Sequence, residues 1–175
     1  MDTAPVEQEA TLSLSQQTER VLKKFLESCG KVQNFEQLFL FNTEPTVVHD
    51  HPLIKDPKTE VLFTVIPTPD MSNVLGTVHG GVYPSLIDSL TSLVAYGFDR
   101  PPKASVSVSI NTQYMRPLFV GKKAYFVAKV SQIGRKMIFL RCDIYDHNLK
   151  LAATGSHEKM KVPAFDEKLK AIGFT

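Results

Sequence analysis

One stretch constrains this chain more than any other. Between Val82 and Phe98 the only charged residue is Asp88. Val82, Tyr83, Leu86, Ile87, Leu90, Leu93 and Val94 recur at helical spacing and, at about 100° per residue, fill one arc of roughly 140°. A surface helix would put lysines and glutamates opposite. Here the opposite arc holds Pro84, Ser85, Asp88, Thr91, Ser92 and Ala95. Such a helix is expected to be buried all round, with a sheet on one side and a closely approaching partner on the other. Pro84 suits a first helical turn, so the helix is predicted to start near Gly81 or Val82.

A lone carboxylate in that setting is costly unless it is hydrogen-bonded or belongs to a ligand site. The helix alone leaves two readings open, a packing aspartate bonded to a nearby Ser or Thr and a functional acid. The residues upstream favour the second. Gly80 and Gly81 leave backbone N–H groups bare at the positive end of the helix, a place that suits a developing negative oxygen. Asn73 and His79 stand just before them, each able to orient a polar ligand.

The rest of the chain reads as one soluble domain. It has 175 residues, 43% hydrophobic and 22% charged, ordinary values for a globular protein. The 20 Lys+Arg against 18 Asp+Glu leave a formal charge of +2, which argues against a nucleic-acid binder. No apolar run is long enough to span a bilayer, and the acidic start resembles neither a signal nor a transit peptide. A cytoplasmic location is expected, with a mitochondrial one left open. Cys29 and Cys142 have no metal or CxxC spacing and read as reduced thiols. His49 and His51 sit in a proline-bounded loop without a third ligand, so no metal is expected.

A helix is predicted from about Ser15 to Cys29, closed by Gly30. Strands are predicted at Glu60–Ile66, Ser105–Tyr114, Lys122–Gln132, Lys136–Tyr145 and Leu149–Val162. Ser105–Tyr114 alternates cleanly: Val106, Val108, Ile110, Thr112 and Tyr114 alternate with Ser105, Ser107, Ser109, Asn111 and Gln113, so the two sets should face opposite sides. Short connections make these strands antiparallel.

Asn73-x-x-Gly76-Thr77-Val78-His79-Gly80-Gly81, with Asp88 nine residues after the histidine, resembles the hotdog-fold acyl-CoA thioesterases. The similarity is to the phenylacetate-pathway subgroup and its eukaryotic thioesterase-superfamily-member relatives. Ser105 to Asn111, Tyr114-Met115-Arg116-Pro117 and Gln132 to Lys136 extend it over roughly Glu60–Lys161. The resemblance implies an α+β hotdog fold, a long central helix wrapped by a curved antiparallel β-sheet, with an added N-terminal helix. The expected plan is a polar arm at 1–14, the helix and extension at 15–57, the hotdog domain at 58–163 and a tail at 164–175. The insertion Asp99-Arg100-Pro101-Pro102 and the long N-terminal stretch depart from the pattern.

Carried over, the resemblance implies hydrolysis of acyl-CoA without a cofactor. Asp88 acts as general base or nucleophile, the Gly80 N–H with Asn73 polarises the carbonyl, Ser107 holds the water and His79 orients Asn73 or the carbonyl. Gly81, Ser109, Tyr114, Arg116, Gly134, Arg135 and Lys136 are the implied substrate contacts, the three cations toward CoA phosphates; otherwise these cations are ordinary solvated charge. A non-catalytic acyl-CoA-binding module is the alternative. A hotdog dehydratase lacks its His-Phe-Pro loop here.

Distance adds one expectation. Gly80 and Asp88 lie about 12 Å apart along one helix at 1.5 Å per residue, too far to serve one carbonyl. A homodimer is therefore the expected minimum unit, packed through Ser85, Ser92 and Ala95. Asn73, His79 and Gly80 would come from one chain and Asp88 with Ser107 from the other. The resemblance extends this to a homotetramer.

Overall fold

The computed structural model describes residues 12–29, 43, 45–99 and 101–171. Six antiparallel strands form one sheet: β1 (Thr46–Val48), β2 (Glu60–Val65), β3 (Ser105–Tyr114), β4 (Ala124–Ile133), β5 (Met137–Tyr145) and β6 (Leu151–Lys161). Their spatial order is β1-β2-β4-β5-β6-β3. Helix α1 (Leu14–Cys29) packs against α2 (Val82–Phe98), and a short α3 (Asp166–Ala171) follows the last strand.

Each element has a local cause. Ser13 and Gln16 close a reciprocal cap on α1: Gln16 N–H donates to Ser13 Oγ (3.3 Å), and Ser13 N–H donates to Gln16 Oε1 (2.8 Å). This is a capping box, which the sequence spells as Ser-x-x-Gln; it starts the helix at Leu14, a residue before the expected boundary. The expected Gly30 cap lies outside the described residues. In α2 the apolar arc read from the sequence is buried throughout. It rests on the inner face of the sheet, where Val61, Phe63, Phe126, Ala128, Leu140 and Cys142 join one core.

Two glycines permit the close approaches. A Cβ on Gly155 of β6 would lie 2.5 Å from Ile87 Cδ1, so α2 sits directly on β6. A Cβ on Gly97 would lie 2.7 Å from Thr18 Oγ1, which brings α1 onto the C-terminal half of α2. The small face of α2 is therefore partly covered within the chain. Thr91 and Ala95, expected on the partner side, are already buried, whereas Ser85, Ser89 and Ser92 remain partly open.

Three other readings change. Thr46–Val48 is an edge strand paired with β2, although the sequence around it reads as irregular. The tail is docked: Asp166 Oδ1 accepts the Ala104 N–H (2.9 Å), and Leu169 is buried with Ala104. The strict alternation of β3 fails. Its pairing with β6 slips between Ser107 and Ser109, so Ser107 faces Lys159, Ser109 faces Glu158 and Ile110 faces His157. This bulge puts Ser107 on the same face as Ile110 and turns Ser109 to the other side.

Candidate active site

Asp88 projects from the partly open side of α2, with 44% of its side chain exposed. It lines a cavity of about 450 Å³ bounded by α1, α2, β3 and β6, with Phe25, Leu93, Tyr96 and Ile110 among its walls. Behind the carboxylate lies a polar cluster that the bulge assembles. Ser107 Oγ donates to Asp88 Oδ1 at 2.9 Å. His157 Nε2 lies 3.0 Å from Ser107 Oγ and 3.4 Å from Asp88 Oδ1. Lys159 Nζ donates to Ser107 Oγ at 3.3 Å and stands 3.8 Å from Asp88 Oδ1. Thr91 Oγ1, back-bonded to the Ile87 carbonyl, meets His157 Nδ1 at 2.7 Å.

Burial sets the protonation of this cluster. His157 is fully buried, and its imidazole pKa is pushed down to about 4, first by desolvation and then by the Lys159 charge, with Asp88 opposing. Lys159 is also held below the usual lysine range by burial, against the pull of Asp88. At neutral pH the imidazole is uncharged, so Asp88 and Lys159 are the charged members. The sequence reading missed His157 and Lys159. Their signal was their i, i+2 spacing on a strand whose neighbour at that face is Gly155; period 2 puts all three toward α2.

The loop before α2 forms a second, separate group. Asn73 Oδ1 accepts the N–H groups of Leu75 (2.9 Å) and Thr77 (3.2 Å), while its Nδ2 donates to Thr77 Oγ1 (2.9 Å). In this chain the carboxamide therefore organises a tight turn, completed by Gly76 at φ +76°. His79 Nδ1 accepts the Gly81 N–H at 3.0 Å. The Gly80 N–H has no acceptor among the described residues, and its carbonyl accepts from Tyr114 Oη at 2.8 Å. The Tyr114 ring meets Tyr83 edge-on at 5.2 Å.

The remaining expected contacts are dispersed. Ser109 bonds Glu158 on the outer face of the sheet, away from Asp88. Arg116 donates to the Leu151 carbonyl at 2.7 Å, beyond the Tyr114 end of β3. Gly134 closes the β4–β5 turn by donating to Met137 O, with exposed Arg135 and Lys136 beside it. That turn adjoins Met137, which pairs with Met160, the partner of Val106. Arg116 bonds at Leu151 and Lys136 at Lys161, the two ends of β6, so at about 3.4 Å per strand residue the two cation groups lie about 30 Å apart in one chain. His49 bonds Glu19, and His51 stacks on Tyr125 at 5.5 Å; the two do not converge on a common point. Cys142 is a free, buried thiol whose pKa burial drives up.

Known proteins share this fold. Residues 75–153 match the family model described as Thioesterase superfamily. Acyl-coenzyme A thioesterase 13 of Mus musculus is 28% identical over 148 residues, spanning 84% of this chain and 96% of that protein. Its Homo sapiens counterpart is 26% identical over 139 residues, with coverages of 79% and 92%. Among solved structures, thioesterase superfamily member 2 from Mus musculus superposes with a TM-score of 0.66 at 24% identity, over 86% of this chain and 98% of that one. The E. coli PaaI protein from the phenylacetic acid degradation operon gives 0.65 at 18% identity, over 86% and 96%. With its central helix wrapped by one antiparallel sheet, the chain has the hotdog fold, and residues 75–153 within it match the thioesterase-superfamily model.

Proposed function

We propose that this protein hydrolyses acyl-CoA thioesters to the free acid and CoA, with Asp88 activating the water. The observation that carries the reading is the Asp88 carboxylate itself, held at one oxygen by Ser107 and open to a cavity, inside a thioesterase domain. A thioester is already electrophilic, so its hydrolysis needs a positioned water, a proton acceptor and a donor for the oxyanion. Asp88 takes the water proton as oxygen attacks the carbonyl carbon, the Gly80 N–H receives the negative oxygen, and the thiolate leaves. The cavity takes the acyl group.

These parts come from two chains. Gly80 is tied to Tyr114 at one end of β3, and Asp88 is tied to Ser107 near the other. Strand β3 is an edge strand, paired only with β6, with Val106 39% and Val108 58% exposed. A second copy running antiparallel along this edge, with its two-fold axis at Asn111, sets the partner's Tyr114 opposite the bulge at Ser107–Val108. That arrangement carries the partner's Gly80 toward Asp88. It also brings the two distant cation groups closer together across the interface. Edge pairing through β3 thus supports the shared site better than packing through Ala95, which is already buried.

The test of the activity is a panel of acyl-CoAs with a thiol reagent. Release of CoA at catalytic rates is expected; tight binding without release would make the protein an acyl-CoA-binding module. The test of sharing is complementation between inactive Asp88→Asn and inactive Asn73→Ala chains. Random mixing should restore about a quarter of wild-type activity, because half the dimers then hold one intact site of two. No recovery despite demonstrated subunit exchange would remove the shared-site arrangement.

A further inference from the structure

We infer that Lys159 is a positioning residue of this site: seated behind the Ser107 hydroxyl, it sets the direction of the hydrogen-bond chain that ends on Asp88. The inference rests on the reading of Asp88 as the group that activates water.

The first observation is placement. Lys159 lies on the inner face of β6, opposite Ser107 on β3 and Ile138 on β5. Only 5% of its side chain is exposed. An ammonium in such a place is disfavoured unless it is hydrogen-bonded and paired. Its partners among the described residues are Ser107 Oγ and Asp88 Oδ1, so the charge is directed at the site.

Donor arithmetic then fixes the direction. An ammonium has three donors and no acceptor, and a hydroxyl has one proton. Lys159 therefore donates to Ser107 Oγ, and the serine proton must go elsewhere. Two acceptors are in reach, Asp88 Oδ1 at 2.9 Å and His157 Nε2 at 3.0 Å. With Lys159 occupying one lone pair and polarising the hydroxyl, the ionised Oδ1 takes the proton. His157 then donates from Nε2, and its Nδ1 takes the single Thr91 hydroxyl proton in place of the Ile87 carbonyl. Both lone pairs of Ser107 Oγ are thereby filled. Ser107 orients Asp88 rather than holding water, and Asp88 Oδ2 is the carboxylate oxygen left for the water. Without the cation, Ser107 can turn its proton to the other imidazole tautomer and release Asp88. The groups facing His157 are Thr91 and Asp88 from α2, Ser107 from β3 and Lys159 from its own strand, with apolar Leu140 opposite on β5.

The experiment uses full-length Lys159→Met and Lys159→Gln, alone and with Ser107→Ala. Turnover of an acyl-CoA is followed with a thiol reagent, and the His157 titration by NMR. Lys159→Met should lower kcat about tenfold, the scale of one lost charge-assisted hydrogen bond, with KM within about twofold, since only orientation is lost. Lys159→Gln, which keeps an N–H donor, should recover part of that loss. Adding either change to Ser107→Ala should have little further effect, because both act through one chain. The His157 midpoint should rise from about 4 once the lysine charge is removed. Wild-type kcat in Lys159→Met, additive losses in the double variant, or an unmoved His157 midpoint would each overturn the inference. If Lys159→Met does not fold, Lys159→Gln carries the same measurements. Absence of CoA release by the wild type overturns the thioesterase reading instead, and the His157 titration still decides the role of Lys159.

Discussion

The two ends of β3 solve different problems. At the Ser107 end, side chains from α2, β3 and β6 converge, and two of them are almost wholly buried. Position there is held by a network of side chains hydrogen-bonded to one another. At the Tyr114 end the important group is a backbone N–H at the start of α2, and what holds it is a turn built by Asn73, a His79 ring and one tyrosine hydroxyl. A proton acceptor is tuned by its surroundings, so it is set among charges; an oxyanion donor needs only direction, so backbone geometry is enough. On the proposed mechanism, the comparison teaches that one chain holds two halves of a site, too far apart to act on one carbonyl.

The sharpest way to break the comparison is Asp88→Asn. It should lower kcat by about 100-fold or more, the scale of a positioned acid–base group. It should also lower the melting temperature slightly, since Lys159 loses its counter-charge. Asp88 is nearly half exposed, so the cost should be about 1 kcal/mol, or roughly 2–4 °C for a chain of this length. Turnover near wild type would move the chemistry away from the Ser107 end. A smaller effect is expected from Tyr114→Phe, which removes one hydrogen bond to the Gly80 carbonyl. A loss of about fivefold in kcat with unchanged stability fits one neutral hydrogen bond; a loss equal to that of Asp88→Asn would mean that the two ends are equally tuned.

The remaining effect is on stability against pH. Unfolded His157 takes a proton near about 6.5, whereas the folded imidazole resists until about 4. Between these values the unfolded chain binds more protons, so stability should fall as pH falls through the window. Urea titrations from pH 7 to 4 should show this decline, and His157→Gln should flatten it. An equal slope in the variant would assign the decline to carboxylates elsewhere.

How much of this was legible beforehand follows from the range of each interaction. The buried arc of α2, the five long strands and the lone Asp88 could be read directly, because period and composition are local properties of the chain. So could the glycine pair at the helix start. The Ser-x-x-Gln cap of α1 was equally local and went unread. The short β1 was not legible, since three residues carry no period of their own and depend on β2 for their pairing.

Tertiary structure decided what depends on register. A single bulge between Ser107 and Ser109 exchanges the faces of β3, bringing Ser107 to Asp88 and sending Ser109 to the outer surface. Side chains alternate with period 2, so one extra residue reverses every face beyond it, and no count of alternating residues reveals where the slip occurs. The same holds for His157 and Lys159. Their sequence puts them on one face of a strand, but only the packing of α2 across β6, at Gly155, makes that face the buried floor of the site and turns two ordinary polar residues into its charge environment.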